Sequence, residues 1–251
     1  MSKQFKANAR GLTDRGLVRK TNQDAYLIDL NSMLLIVADG MGGHAGGEVA
    51  SKLCIECVDE VFHSKLKEFP KEELNELKAT RSLSDAINVA STRIYEKALE
   101  EPNLKGMGTT ATVVKIINDK TYFAQVGDSR LYLLRCGFIY QLTQDHSLVS
   151  EQVAAGVISE EEAKNHQLRN VITRSVGYQE EEYVDTGSLN LEDQDFLVLC
   201  SDGLHGKVSN REIANLVLRY EVDAVDPLVD LANERGGEDN ITLIILKVRS
   251  Q

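Results

Sequence analysis

Leu34-Leu35-Ile36-Val37-Ala38-Asp39-Gly40-Met41-Gly42-Gly43-His44-Ala45-Gly46-Gly47 begins as an apolar run, is cut by an acid, and crosses a glycine-rich stretch into a helical pattern. A run this short and this rich in β-branched residues reads as a buried strand. The same punctuation recurs along the chain: Asp128 follows Tyr122 to Gly127, Asp202 follows Phe196 to Ser201, and Asp239 precedes Ile241 to Leu246. Neighbouring strands lie about 4.8 Å apart, so carboxylates at their ends can converge. Converging carboxylates repel one another. Near neutral pH such a cluster needs raised pKa values or a divalent cation, and hard oxygen ligands suit magnesium or manganese.

Outward from that stretch, a strand near Phe5 to Leu12 precedes two strands, Ala25 to Leu30 and Met33 to Ala38, joined at Asn31-Ser32. A helix is expected from about Gly47 to Lys67, and another from Ser82 to about Glu100, ended by Pro102. Four strands follow at Thr110 to Ile117, Thr121 to Val126, Arg130 to Arg135 and Phe138 to Leu142, with turns at Asn118-Asp119 and Cys136-Gly137. Residues 144–182 are polar and weakly periodic, with two short helices expected around Ser147 to Ala155 and Ser159 to Asn165, and read as a surface insert. Strands at Tyr183 to Leu189 and Phe196 to Ser201, two helices carrying Ile213 to Tyr220 and Val225 to Ala232, and a last strand Ile241 to Val248 complete the pattern. Strands mostly follow strands and helices come in pairs, which points to an α+β fold with antiparallel sheets covered by helices.

The 251 residues are expected to form a single domain, since only 3 prolines and no linker-like segment interrupt them and the acids come from both halves. A net charge of −11 argues against nucleic-acid or anionic-membrane partners. The N-terminal Met1-Ser-Lys-Gln-Phe-Lys lacks a secretory apolar stretch, and no apolar run could span a bilayer, so a cytoplasmic monomer is expected. Four scattered cysteines do not make a disulfide scaffold. Cys54-Ile-Glu-Cys57 lies on the apolar stripe of the first helix, Ala50, Leu53, Cys54, Cys57, Val58, Val61 and Phe62, and reads as core rather than redox or zinc chemistry.

Gly40-x-Gly42-x-x-Ala45 formally matches a dinucleotide fingerprint, but Asp39 would face the pyrophosphate and the βαβ alternation is missing. No cysteine is followed six residues later by arginine, no Asp-x-Asp follows a strand, and neither a P-loop nor a G-x-S-x-G elbow is present. With no side-chain nucleophile evident, metal-activated water is the natural remaining attacker.

Seven segments, in order, resemble the bacterial branch of the PPM/PP2C metal-dependent serine/threonine phosphatases. They are Thr13-Asp14-x-Gly16-x-x-Arg19-x-x-Asn22-Gln23-Asp24, Val37-Ala38-Asp39-Gly-Met-Gly-Gly-His44, Gly106-Met-Gly-Thr-Thr-Ala111, Val126-Gly-Asp128-Ser-Arg130, Asp145-His-Ser147, Cys200-Ser-Asp202-Gly-Leu204 and Glu238-Asp239-Asn240-Ile-Thr242. The resemblance implies a β-sandwich of two antiparallel sheets flanked by helices on both sides, with a two-metal centre of Mn2+ or Mg2+ at one end. By position Asp39 would bridge both ions, Gly40 would offer its carbonyl to one, Asp202 and Asp239 would hold the other, and Asp24 would act through water. A third, weaker ion would involve Asp128 and Asp202. Arg19 matches the family's phosphate-binding arginine and His44 a histidine proposed to protonate the leaving alkoxide. The insert matches the family's flap, thought to affect the choice of protein substrate. Gln23 stands where many eukaryotic members carry glutamate, and Gly206 where many relatives have a polar side chain.

The expected activity is therefore hydrolysis of phosphoserine and phosphothreonine on proteins, the substrates of a cognate serine/threonine kinase, by a water that two metals activate and without a phosphoenzyme. The alternative is a pseudophosphatase that binds phosphoproteins without turnover; the intact set Asp39, Asp202 and Asp239 argues against it.

Overall fold

A computed structural model of the protein describes residues 5–43, 45–68 and 76–250. The hydrophobic runs become eleven named strands among these residues: β1 (Phe5–Asp14), β2 (Asp24–Asp29), β3 (Leu34–Met41), β4 (Gly108–Thr109), β5 (Ala111–Ile117), β6 (Lys120–Val126), β7 (Arg130–Arg135), β8 (Phe138–Gln141), β9 (Asp185–Asn190), β10 (Phe196–Cys200) and β11 (Ile241–Ser250). One sheet runs β1-β11-β10-β7-β8, the other β2-β3-β5-β6-β9 with β4 paired to β3, and every ladder is antiparallel.

Alternation along the strands sorts their side chains between two kinds of core. Leu35, Val37, Val114, Leu131, Leu133, Leu197, Leu199, Ile244 and Leu246 fill the space between the sheets. The opposite faces meet helices. Leu34, Ile36, Val113 and Ala124 pack against α1 (Gly46–Glu68) and α2 (Glu76–Glu100), through Cys54, Cys57, Leu83, Ile87 and Ile94. Tyr132, Val198, Leu243 and Ile245 pack against α6 (Asn210–Tyr220) and α7 (Val225–Glu234), which follow the short helices α3 (Leu148–Ala154), α4 (Glu160–Lys164) and α5 (Asp202–His205). Helices thus cover both outer faces of a sandwich, as the resemblance implies. Strands buried on both faces read as continuous apolar runs, which is why β3 and β11 stand out in the sequence.

Differences from the sequence reading fall at element ends. The second helix begins at Glu76 rather than Ser82, because Ala79 adds a buried position one turn ahead of Leu83. The short helix α5, which starts at Asp202, carries no sequence periodicity of its own. Both expected helices of the insert form, and both are N-capped by serine: Ser147 accepts from Ser150 N–H, and Ser159 with Glu162 makes a capping box. Cys54 and Cys57 are buried, as their stripe requires. Among the described residues no helix is long and apolar enough to cross a membrane.

Candidate metal centre

The β2–β3 ladder places Asp24 directly opposite Asp39, at one end of its sheet. The β10–β11 and β10–β7 ladders bring Cys200 beside Leu243 and Arg130, so Asp202, Asp239 and Asp128 leave the other sheet at that same end. Five acids from distant parts of the chain therefore share one site. The Asp39 carboxyl lies within hydrogen-bonding reach of both the Asp24 and the Asp202 carboxyls.

Backbone geometry fixes Asp39 tightly. Its N–H donates to Thr110 Oγ1 at 2.9 Å, and its carbonyl accepts from Thr110 N–H at 2.8 Å and from Thr109 Oγ1 at 2.9 Å. Gly40 follows where only glycine fits, since a Cβ there would stand 2.0 Å from the Gly47 carbonyl oxygen. Asp24 is buried, and its Oδ2 accepts from Ser201 Oγ at 2.8 Å. Asp239 Oδ1 caps Asn240 N–H at 2.8 Å while Oδ2 accepts from Arg19 at 2.7 Å. Asn240 reads less as a ligand than as a tie: it accepts from Gln23 N–H and donates to the Arg15 and Thr21 carbonyls, holding the Arg19 loop against the start of β11.

Burial, and then mutual repulsion, push the carboxyls of Asp24, Asp39, Asp128 and Asp202 upward. Asp24 and Asp128 rise to about 6 and Asp202 to about 8, and Asp39, facing Asp24, Asp202, Asp128 and Asp239, rises well above the usual carboxylate range. Desolvation works against the Arg19 guanidinium, but Asp239, with Asp202 and Asp39 beyond it, holds its pKa above the ordinary value. Asp24 Oδ1 and Asp202 Oδ1 are buried with no hydrogen-bond partner. Orphaned, acceptor-only oxygens beside destabilised anions are what a divalent cation would satisfy, so the residues present fit a magnesium- or manganese-type ion.

The structure thus brings together Asp24, Asp39, Gly40, Asp128, Asp202, Asp239 and, at its edge, Arg19. His44 lies outside the described residues. What the sequence reading missed is the hydroxyl layer behind the acids. Thr110 Oγ1 meets Ser129 Oγ at 2.8 Å, and Thr242 and Ser201 link Asp24 to β11. Thr110, Ser129, Ser201 and Thr242 all sit inside the quoted motifs, but only the fold gives them this task. Two histidines, His205 and His146, brace the backbone around Asp128. His205 Nε2–H donates to the Asp128 carbonyl at 3.0 Å, and burial, chiefly, pushes it down to about 3. His146 accepts from Gly127 N–H at Nδ1, 3.0 Å, and donates from its backbone N–H to the Gly127 carbonyl, bracing the residue before Asp128. The insert is anchored at its start by Asp145, whose carboxylate takes Arg130 Nε at 2.9 Å and an Arg130 terminal nitrogen at 2.6 Å.

Known proteins are similar to this chain in sequence and in fold over nearly all its length. The family model for protein phosphatase 2C matches residues 3–241. A serine/threonine phosphatase stp of Listeria welshimeri is 36% identical over 94% of this chain and 93% of its own. The crystal structure of the Mycobacterium tuberculosis serine/threonine phosphatase PstP/Ppp superposes with a TM-score of 0.87 at 33% identity, covering 97% of this chain and 99% of that one. A catalytic domain of PstP in complex with two manganese ions superposes with a TM-score of 0.85 at 32% identity, covering 98% and 100%. With its sandwich, its five converging aspartates and a family match spanning nearly all its length, the chain belongs to the protein phosphatase 2C family of serine/threonine phosphatases.

Proposed function

We propose that this serine/threonine phosphatase hydrolyses phosphoserine and phosphothreonine on protein substrates at a two-metal centre held by Asp39, the Gly40 carbonyl, Asp202 and Asp239, with no phosphoenzyme. The observation that carries the reading is the pair of orphaned buried oxygens, Asp24 Oδ1 and Asp202 Oδ1, within a cluster whose acids push one another's pKa values up. Two divalent cations there would supply a water nucleophile at neutral pH and neutralise charge developing on the phosphoryl oxygens. Support also comes from the two manganese ions of the PstP complex.

The chain's own residues have separable tasks. Arg19 keeps part of its guanidinium free of Asp239 to take phosphoryl oxygens, for which a planar fork of donors is suited. Thr110 and Thr109 hold the Asp39 backbone, and Ser201 orients the Asp24 carboxylate. Asp128 and Asp202 would hold a third, weaker ion, and His44 would protonate the leaving alkoxide. The whole chain would act as one catalytic domain, a cytoplasmic monomer opposing a serine/threonine kinase, with residues 144–182 as its flap.

A binding protein without turnover would have no use for the complete acid set, which makes the pseudophosphatase reading the weaker one. The deciding experiment is release of phosphate from a phosphothreonine peptide with manganese, and its suppression by chelator. Binding of the peptide with no release at saturating manganese would establish the pseudophosphatase instead.

A further inference from the structure

The two sheets close against each other at the β1/β2 margin but leave a cavity of about 410 Å³ at the opposite one, lined by Phe123, Gln125, Leu142, Tyr183, Asp185 and Thr186 among others. Gln125 and Asp185 are direct cross-strand partners, as are Phe123 and Gly187, so these four positions share one face. Gly187 lets the tip of the Phe123 ring lie against its backbone: a Cβ there would stand 2.3 Å from it.

Gln125 is 1% exposed, and its orientation is fixed by donation from Nε2 to the Gly127 and Ser129 carbonyls, both at 3.0 Å. Those carbonyls can only accept, so Oε1 is the end left over, and it has no hydrogen-bond partner. A buried acceptor that lines a cavity calls for an N–H donor from outside.

The surroundings select a cationic one. The wall is entered from the acidic run Glu180-Glu181-Glu182, followed by exposed Tyr183 and by Asp185, in a chain of net charge −11. Arg174 already displays the chemistry that this wall accepts: it donates to Asp185 Oδ1 at 3.1 Å and its guanidinium lies 5.3 Å from the Tyr183 ring centre. Gln125 also stands three residues before Asp128, hence at most about 10 Å from it along the chain, which is the span of three residues of extended peptide.

We infer that this cavity is a specificity subsite for a lysine or arginine side chain lying about three residues from the phosphorylated residue of a protein substrate. The inference rests on the phosphatase reading above and names a substrate class for it. Gln125 Oε1 takes the donor, the acidic run supplies the field, and the Phe123 ring lies along the aliphatic stem, while Asp185 and the Tyr183 ring stay engaged by Arg174.

The test uses phosphothreonine peptides identical except for arginine, alanine or glutamate three residues from the phosphothreonine, on either side, assayed with manganese beside a small aryl phosphate. The arginine peptide should exceed the alanine peptide in kcat/KM by about five- to thirtyfold, the range of one charge-assisted hydrogen bond in a partly solvated site, with glutamate lowest. The ratio, which cancels general losses of catalysis, should fall to within twofold in Thr186→Arg, which puts the protein's own guanidinium at the exposed rim, and in Gln125→Met, which removes the acceptor. Equal turnover of all three peptides overturns the subsite, and so does a preference that survives Thr186→Arg. Failure to turn over any substrate, aryl phosphate included, counts instead against the phosphatase reading on which the subsite depends.

Discussion

Asp24 and Asp39 face each other as direct partners across the β2–β3 ladder, the one buried and the other with its backbone locked by Thr110. Antiparallel partners point to the same side of a sheet at a separation of about 5 Å, so the ladder forces two carboxylates together with no choice of rotamer that parts them widely. The strain is electrostatic, and a divalent cation would relieve it.

Asp39→Asn should abolish turnover and leave the protein folded, because its carboxylate touches both neighbouring acids of the centre. Phosphate release at saturating manganese should fall well beyond tenfold, which is about 1.4 kcal/mol. The melting-temperature rise produced by manganese, measured against monovalent salt of equal ionic strength, should shrink in parallel. A variant keeping a tenth or more of wild-type kcat would speak against the two-metal centre.

Stability of the metal-free protein should depend on pH in a direction set by the raised carboxyls. Asp202 at about 8, and Asp39, raised well above the usual carboxylate range by burial and its acidic neighbours, hold protons in the folded state that the unfolded chain, titrating near 4, has already released. Their contribution is therefore present at low pH and lost as pH rises through the folded values. His205, held down at about 3, acts in the opposite sense only below about 6.5. Lys115, pushed down to about 8 by burial, opposes the trend only from about that value up to about 10.4, where the unfolded chain alone still holds the proton. Between pH 6.5 and 7.5 the metal-free melting temperature should fall, and the increment from manganese should grow. Asp202→Asn, which keeps Lys115 and His205, should flatten the slope; identical slopes in both proteins would show that the acids are not its source.

Arg19→Ala should reduce kcat/KM by roughly ten- to a thousandfold, through loss of charge-assisted contacts to phosphate. Its effect on stability should be small, since the Arg19 side chain is half exposed and such pairs contribute about 0–1 kcal/mol. Wild-type kinetics in this variant would reduce Arg19 to a surface partner of Asp239.

Thr110→Val keeps the shape of a buried side chain but strands the Asp39 N–H and one bond of Ser129. Unfolding by denaturant should show a loss of about 1–3 kcal/mol, with kcat lowered because Asp39 is less firmly held. Full stability and full activity together would mean that the hydroxyl layer is idle.

Deletion or charge changes within residues 144–182 should lower activity on a phosphoprotein more than on an aryl phosphate. The segment stands on Asp145–Arg130 and on His146 beside Gly127, near the centre yet outside it. Equal losses on both substrates would make it part of the catalytic scaffold.

The sequence by itself determined the elements and the chemistry of the acids. Leu34–Ala38 and Ile241–Leu246 announce strands buried on both faces, Ser147 and Ser159 announce helix starts, and an aspartate at the end of a core strand has few explanations other than a site. Periodicity and capping are local, and a single chain displays them in order. Only the tertiary structure decided that β10 lies between β7 and β11, so that Asp128, Asp202 and Asp239 from one sheet confront Asp24 and Asp39 from the other. It alone set Thr110 behind Asp39, Asn240 beneath the Arg19 loop, and Gln125 with an unmet oxygen in the open margin. Strand pairing joins residues separated by as many as 245 positions, Phe5 and Ser250, and desolvation is a property of everything packed around a group. Neither is written in the neighbours of a residue along the chain.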